Sequence, residues 1–137
     1  MKKMETYRGL VYPHNLDHMG HMNVMWYTSK FDEATWHFFG MMGISAEYLR
    51  MQKRGMFAVK QITEYKQEAL AGDLIHIQSH LLQIFERKIN FAHTMFNSTS
   101  NQVLATSEFI GVYTDLDTRK AKEFPDFILQ KAREFQG

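Results

Sequence analysis

The sequence lacks cysteine, a long apolar segment and an excess of charge of either sign. Without cysteine the chain can form no disulfide, thiolate nucleophile or cysteine-ligated metal centre, so its fold must rest on packing. A bilayer-spanning helix needs about 20 consecutive apolar residues, and no segment approaches that length. The charged start Met1-Lys2-Lys3-Met4-Glu5 also lacks the apolar stretch of a signal peptide. These absences predict a soluble, cytoplasmic protein with no membrane-embedded part.

The charge balance argues against nucleic acid as a partner. Sixteen basic and fifteen acidic residues give a net charge of +1. Non-specific nucleic-acid binding relies on a strong positive field, which this balance does not supply. Any anionic ligand must therefore be held by a local cluster.

The length and the apolar content predict one domain over residues 1–137. Of the 137 residues, 45% are hydrophobic, which suffices for a core. Ten methionines and nineteen aromatic residues are expected mainly to fill that core. A ligand tunnel lined by flexible methionines is the alternative.

A long helix is predicted from Asn23 onward, after a strand over Tyr7 to Tyr12 that Pro13 stops. Apolar residues recur there at intervals of three and four, and Gly40 supplies a stop. The predicted buried stripe is Val24, Tyr27, Phe31, Ala34 and Phe38, and the predicted wetter face is Lys30, Glu33 and His37.

The rest of the chain is predicted to be a short helix, four strands and a closing helix. The helix runs from a Ser45 cap to about Lys53 and is ended by Gly55. The strands cover 57–66, 74–85, 88–96 and 103–113, and the closing helix covers 126–135. Alternation in the second of these strands favours antiparallel pairing with one dry face. Because the long helix is so apolar, the sheet is expected to wrap around it.

A polar loop between the first strand and the long helix carries the residues of chemical interest. Taken alone, Asp17 is a typical turn residue and Asn23 a typical helix cap. Thioester hydrolysis needs a carboxylate that attacks or activates water, and donors for the oxyanion. Unpaired N–H groups at the helix start near Val24 could serve as those donors.

This loop and helix resemble the hotdog-fold acyl-CoA thioesterases of the 4-hydroxybenzoyl-CoA thioesterase type, over about residues 5 to 127. The matching motifs are Asp17-x-x-Gly20-His21-Met22-Asn23-x-x-x-Tyr27, Phe31-Asp32-x-Ala34 and Ala71-Gly72-Asp73. The resemblance implies an α+β hotdog fold, in which an antiparallel sheet wraps around a long central helix. It also implies homodimers whose sheets join edge to edge and whose active sites are shared, or homotetramers built from them.

The resemblance implies hydrolysis of a small or medium acyl-CoA to the free acid and CoA. Asp17 would be the nucleophile or general base, and the Val24 amide the oxyanion donor. His21 stands where related plant acyl carrier protein thioesterases place an active-site histidine, and a hydrogen bond to the loop alone is the alternative. Asn23 would fix the oxyanion geometry as a cap. Several relatives carry a polar side chain where this chain has Val24, so a second polar group must come from His21, His14 or the strands of the other subunit.

Substrate contacts are predicted for Gly20, Tyr27, Arg87 and Lys88. Gly20 belongs to the loop motif, and Tyr27 would pack near the acyl pocket. Arg87-Lys88 could grip the CoA phosphates, aided by Arg119-Lys120, although a solvated surface position is the commoner fate of such pairs.

No metal and no cofactor are expected, because CoA is part of the substrate. His14 and His18, together with Asp17 and His21, look superficially like a metal cluster. Their spacing does not match ligand spacing on a defined element, and the resembled family uses no metal.

Two other functions and the acyl group stay open. One alternative is a hotdog hydratase or dehydratase, and the other is a non-catalytic acyl-CoA binding module. The aromatic residues suit aromatic, branched or medium-chain acyl groups. A cationic acyl group such as betainyl is a further option, through cation–π contacts with Trp26, Tyr27 or Trp36.

Overall fold

A computed structural model describes residues 2–136 as a five-stranded antiparallel sheet with three α-helices. The strand order in the sheet is β1-β3-β4-β5-β2. The elements are β1 (Lys3–Leu10), α1 (Val24–Met41), α2 (Ala46–Gln52), β2 (Arg54–Tyr65), β3 (Leu74–Ile84), β4 (Lys88–Asn97), β5 (Val103–Asp115) and α3 (Asp126–Arg133). A single 3-10 turn, Pro13–Asn15, precedes α1. Within these residues, no helix is both long and apolar enough to cross a bilayer.

The sheet wraps around α1, as predicted. Phe31, Ala34 and Phe38 of α1 are fully buried, as are Ile75 and Ile77 on the inner face of β3. Burying a side chain of this size stabilises the fold by roughly 1.5–3 kcal/mol. Contact with the concave face of the sheet therefore fixes which side of α1 points inward.

Several predicted element boundaries are wrong. β1 begins at Lys3 and ends at Leu10, because its pairing with β3 ends at the Leu10–Leu74 pair. α1 continues through Gly40 to Met41. α2 is followed by Lys53 in the left-handed conformation, with φ 54°, so Gly55 does not end it and lies inside β2 instead.

Two residues of α1 lie on the face opposite to the predicted one. Lys30 is buried, and its Nζ donates to the Tyr7 hydroxyl at 3.0 Å. The long aliphatic stem of lysine makes such burial tolerable when the ammonium finds a partner. Val24 is 56% exposed, because it belongs to the first turn, which lies beside a surface cleft and not in the core.

A buried chain of hydrogen bonds joins α1 to the sheet. The Thr35 hydroxyl donates to the Phe31 carbonyl at 2.9 Å, so it must accept from His93 Nε2, which lies 2.8 Å away. His93 Nδ1 then accepts from the Ser79 hydroxyl at 2.6 Å. Ser79 in turn accepts from Thr6 at 2.6 Å. The Thr6 hydroxyl also lies 3.4 Å from the Ile77 carbonyl. Its single proton serves the shorter contact, to Ser79, and His93 is held as the neutral Nε2–H tautomer.

His93 should make the protein less stable as the pH falls. Burial, and secondarily the charge of His80, lower the pKa of His93 to about 3. An unfolded histidine binds a proton near pH 6.5, so between these values the unfolded state holds the extra proton. The free energy of unfolding should thus decline by about 1.4 kcal/mol per pH unit from this group.

Denaturant titrations between pH 4 and 6 test this. His93→Gln keeps a donor and an acceptor but does not titrate, so its slope should be shallower by about that amount. The exposed control His37→Gln should follow the wild type. Equal slopes for His93→Gln and the wild type would contradict the assignment.

Candidate active site

Asp17 lies in a tight turn closed by an antiparallel bridge between Leu16 and Met22. Its N–H donates to the His21 carbonyl at 3.0 Å, and its carboxylate Oδ1 accepts the Met19 N–H at 2.8 Å. Gly20, with φ +85°, adopts a conformation that strains any residue with a side chain. The turn therefore holds a partly exposed carboxylate in a defined place.

A second turn supports this loop from behind. The Met22 N–H donates to the Ala69 carbonyl at 2.8 Å, and the Val11 N–H donates to the Asp73 carbonyl at 2.9 Å. Gly72, with φ +92°, donates back to the Val11 carbonyl at 2.8 Å. The Ala71-Gly72-Asp73 motif thus contributes to the site by anchoring the loop, although it is distant in sequence.

The start of α1 presents a free backbone donor. Asn23 caps the helix, and its Oδ1 accepts the Met25 N–H at 2.9 Å. The Trp26 N–H bonds to the Asn23 carbonyl at 2.9 Å. Among residues 2–136 no acceptor pairs with the Val24 N–H. Because this N–H also lies at the positive end of the helix dipole, it can stabilise an oxyanion.

A surface cleft of about 200 Å³ adjoins this donor. It is lined by His21, Met22, Val24, Tyr27, Tyr65, Lys66, Gln67 and Glu68. His21 Nε2 lies 3.8 Å from Glu68 Oε1, close enough for an ion pair when the imidazole is protonated. Asp17 does not line the cleft itself but neighbours it through its backbone bond to His21.

Tyr27 forms a wall of this cleft. It is 3% exposed, its hydroxyl donates to the Gln67 carbonyl at 3.1 Å, and its ring meets Tyr65 edge-on at 5.1 Å. Burial raises the pKa of the Tyr27 phenol, which therefore stays protonated at neutral pH. Its role within the chain is thus to hold Gln67 and Tyr65 against α1.

Arg87 and Lys88 lie far from Asp17 within one chain. Lys88 pairs with Val112 at one end of β4, whereas Asn97 at the other end pairs with Ile75, near the loop. Ten strand residues span about 33 Å. The Arg87 guanidinium bonds to Glu123 at 3.2 Å, and the Lys88 ammonium lies 5.0 Å from the centre of the Phe85 ring. The structure of a single chain therefore does not bring this pair to the loop.

The other predicted residues divide between the two ends of the sheet. Arg119 and Lys120 follow β5 and so share the end that holds Arg87. Trp26 packs edge-on against His14 at 5.6 Å, whereas Trp36 is 40% exposed on α1.

In the part of the chain that the structure describes, no three His, Asp or Glu side chains are grouped as a metal site would require.

Residues 65–68 were missed as site residues. They comprise the last residue of β2 and the three residues after it. They reach the cleft because the N–H groups of Lys66 and Gln67 bond to the Leu104 carbonyl, at 2.8 and 3.1 Å. This contact joins segments about 40 residues apart, and no local pattern in either segment signals it.

The comparisons with known proteins agree on one family. A model of the thioesterase-like superfamily matches residues 11–132. A betainyl-CoA thioesterase of Pseudomonas aeruginosa is 22% identical over 93% of this chain and 80% of its own length. An L-carnitine dehydrogenase/betainyl-CoA thioesterase of a Rhizobium species is 22% identical over 86% of this chain. The chain spans only 24% of the length of that Rhizobium protein.

Solved structures share the fold at low identity. A hypothetical protein of Staphylococcus aureus, solved in complex with CoA, superposes with a TM-score of 0.91 at 18% identity, over 98% of this chain and 85% of its own. A 1,4-dihydroxy-2-naphthoyl-CoA thioesterase of Synechocystis gives a TM-score of 0.86 at 16% identity, over 98% of both chains. The predicted hotdog fold is confirmed by these superpositions.

Loss of the helix cap should destabilise the start of α1. Asn23→Ala removes the acceptor for the Met25 N–H and should lower the free energy of unfolding by about 1 kcal/mol. Asn23→Ser keeps a capping oxygen, so its free energy of unfolding should fall by only a few tenths of a kcal/mol. Urea unfolding at pH 7 measures both variants. Equal losses for both would show that capping is not what Asn23 contributes.

Proposed function

The chain belongs to the thioesterase-like superfamily, whose reaction is thioester hydrolysis, and we propose that it hydrolyses acyl-CoA to a free acid and CoA, with Asp17 as its catalytic carboxylate. The observation that carries this proposal is the presence of two features on one short segment. A fixed, partly exposed carboxylate at Asp17 lies in the loop that leads directly into α1, and the first helical residue, Val24, has an unpaired N–H. The first supplies an attacking or basic group, and the second a donor for the negative charge that develops.

In the proposed reaction the thioester carbonyl oxygen accepts a hydrogen bond from the Val24 N–H. As a nucleophile, Asp17 forms a mixed anhydride and expels the CoA thiolate, and water then hydrolyses the anhydride. As a general base, it takes a proton from water, which attacks the carbonyl carbon directly. Both routes end with acid, CoA and a regenerated carboxylate, and neither uses a metal or an organic cofactor.

His21, Asn23 and Gly20 take supporting roles in this proposal. His21 faces the cleft and can hold the attacking water or the substrate. Asn23 keeps the helix start in place, so it acts through Val24. Gly20 lets the turn close without strain, so it shapes the loop that presents Asp17.

The acyl group is proposed to be small or medium in size. Both curated relatives are named for betainyl-CoA, which makes that compound the first substrate to assay. A gentisyl-CoA thioesterase that shares the fold, with a TM-score of 0.81, adds phenolic acyl groups to the panel. Gripping of CoA phosphates by Arg87 and Lys88 would require that a second subunit bring them to the site.

We further propose a homodimer that forms through β2. This strand is one edge of the sheet, is twelve residues long and leaves one row of backbone N–H and C=O groups unpaired. It also exposes large apolar side chains at Phe57, Val59, Ile62 and Tyr65. A long apolar edge normally pairs with another strand, and two-fold pairing with a second copy would continue the sheet.

Asp17→Asn is the direct test of the catalytic role. Asparagine keeps the oxygen that accepts the Met19 N–H, so the turn should persist while the negative charge is lost. The kcat on the best acyl-CoA of a chain-length and aromatic panel should fall at least about 100-fold. Asp117→Asn, a matched change on an exposed acid beyond β5, should keep full activity. Full activity of Asp17→Asn would refute the catalytic role of Asp17. If the wild type bound CoA but turned over no acyl-CoA, that result would favour a non-catalytic binding module.

Charge on the β2 edge should prevent dimerisation. The double variant Val59→Lys, Ile62→Lys places like charges on both paired strands and should elute as a monomer, with light scattering measuring its mass. Phe127→Lys, which changes an exposed phenylalanine on α3, should leave the dimer intact. A dimer that survives the double change would place the interface elsewhere.

A further inference from the structure

The sulfur of this chain is held entirely in methionine. The sequence has ten methionines in 137 residues and no cysteine. Peroxides oxidise cysteine thiolates and methionine thioethers, and the two reactions have different consequences. Because thiols are absent, hydrogen peroxide acts on the sulfur of this chain through methionine alone.

The methionines include a buried group and an exposed group. The buried group, which is at most 1% exposed, is Met22, Met42 and Met95. Met19, Met25 and Met51 are 67%, 60% and 73% exposed. Oxidation by dissolved peroxide requires access to the sulfur, so these three side chains are open to it.

Two of the exposed methionines adjoin the candidate catalytic groups. Met19 lies two residues after Asp17, and its N–H donates to Asp17 Oδ1 at 2.8 Å. Met25 follows Val24 in the first turn of α1, and its N–H donates to Asn23 Oδ1 at 2.9 Å. The backbone of each methionine thus helps to hold the site, while its side chain remains exposed.

Oxidation would change the hydrogen bonding of these two side chains without disturbing the core. A thioether sulfur is a weak acceptor, whereas a sulfoxide is polar and its oxygen accepts readily. The Val24 N–H has no acceptor among residues 2–136 and lies at the positive end of the α1 dipole. A sulfoxide oxygen introduced next to this donor therefore competes for it with the thioester carbonyl.

The chemical change is a reversible two-electron oxidation. The methionine sulfur attacks one oxygen of hydrogen peroxide, and the S–O bond forms as the O–O bond breaks. The hydroxide that leaves takes the proton of the transferred hydroxyl, which gives a sulfoxide and water. A methionine sulfoxide reductase returns the sulfoxide to the thioether, while a dithiol is oxidised to a disulfide and the oxygen leaves as water.

We propose that Met19 and Met25 form a redox-sensitive site, at which oxidation to the sulfoxide by hydrogen peroxide inhibits the enzyme and reduction restores it. The sulfoxide of Met25 occupies the Val24 N–H. The sulfoxide of Met19 adds a second polar acceptor to the turn that holds Asp17. This inference rests on the proposed thioesterase function and adds to it a response to peroxide.

Peroxide treatment followed by an acyl-CoA assay tests the site. The wild type is treated until fragmentation mass spectrometry shows one added oxygen on Met19 and on Met25, and catalase then removes the excess peroxide. Because removal of one oxyanion donor typically lowers kcat by about 100-fold or more, kcat/KM of the oxidised protein should fall at least about tenfold. Incubation with methionine sulfoxide reductase and dithiothreitol should restore it.

Leucine variants assign the effect to the two positions. Leucine is close to methionine in volume and has no sulfur to oxidise. In the double variant Met19→Leu, Met25→Leu, treated and untreated samples should have the same kcat/KM. Met51→Leu removes a similarly exposed methionine on α2, so peroxide should inhibit this control as strongly as it inhibits the wild type.

The outcomes separate this inference from damage to the fold and from the proposed function. Full activity of the wild type with oxygen on both methionines overturns the inference, as does equal inhibition of the double leucine variant. A fall in the unfolding temperature that parallels the loss of activity also overturns it, because oxidation has then reached the core. If the untreated wild type hydrolyses no acyl-CoA, the proposed function fails, and this inference with it.

Discussion

The position of the first turn of α1 is the constraint on which the candidate site depends. That turn is fixed from two directions. Further along the helix, the burial of Phe31 and Phe38 and the bond from His93 to Thr35 hold α1 against the sheet. At its start, the loop is tied to residues 69–73 through the Met22 and Val11 backbones. A donor held this firmly needs no reorganisation when charge develops next to it, which is what makes such groups effective.

The proposed catalytic groups and the proposed subunit interface lie on different parts of the molecule. The carboxylate and the donor belong to the loop and the helix start, which are local in sequence. The proposed interface is the edge strand β2, whose last residue, Tyr65, packs on Tyr27 in the first turn of α1. This contact connects the edge of the sheet with the helix start.

Local patterns were enough to predict most of the fold. The spacing from Tyr27 to Phe38 indicated a helix with one buried face, and alternation in β3 indicated a sheet with one dry face, and both are confirmed. The errors occurred where tertiary contacts outweighed local preference. Lys30 is buried because its ammonium donates a hydrogen bond to the Tyr7 hydroxyl, 23 residues away in the chain. Val24 is exposed because a cleft lies beside it. The position of Glu68 in the cleft depends on packing between distant segments, which no motif encodes.

The most direct measurement for the central claim is a crystal structure of Asp17→Asn with an intact acyl-CoA bound. The account predicts that the thioester carbonyl oxygen lies about 3 Å from the Val24 nitrogen. It also predicts that the side chain at position 17 lies within roughly 3.5 Å of the carbonyl carbon, or of a water that faces it. A thioester bound away from the Val24 N–H, with position 17 out of reach, would contradict the assignment of Asp17 and of the helix start as the catalytic centre.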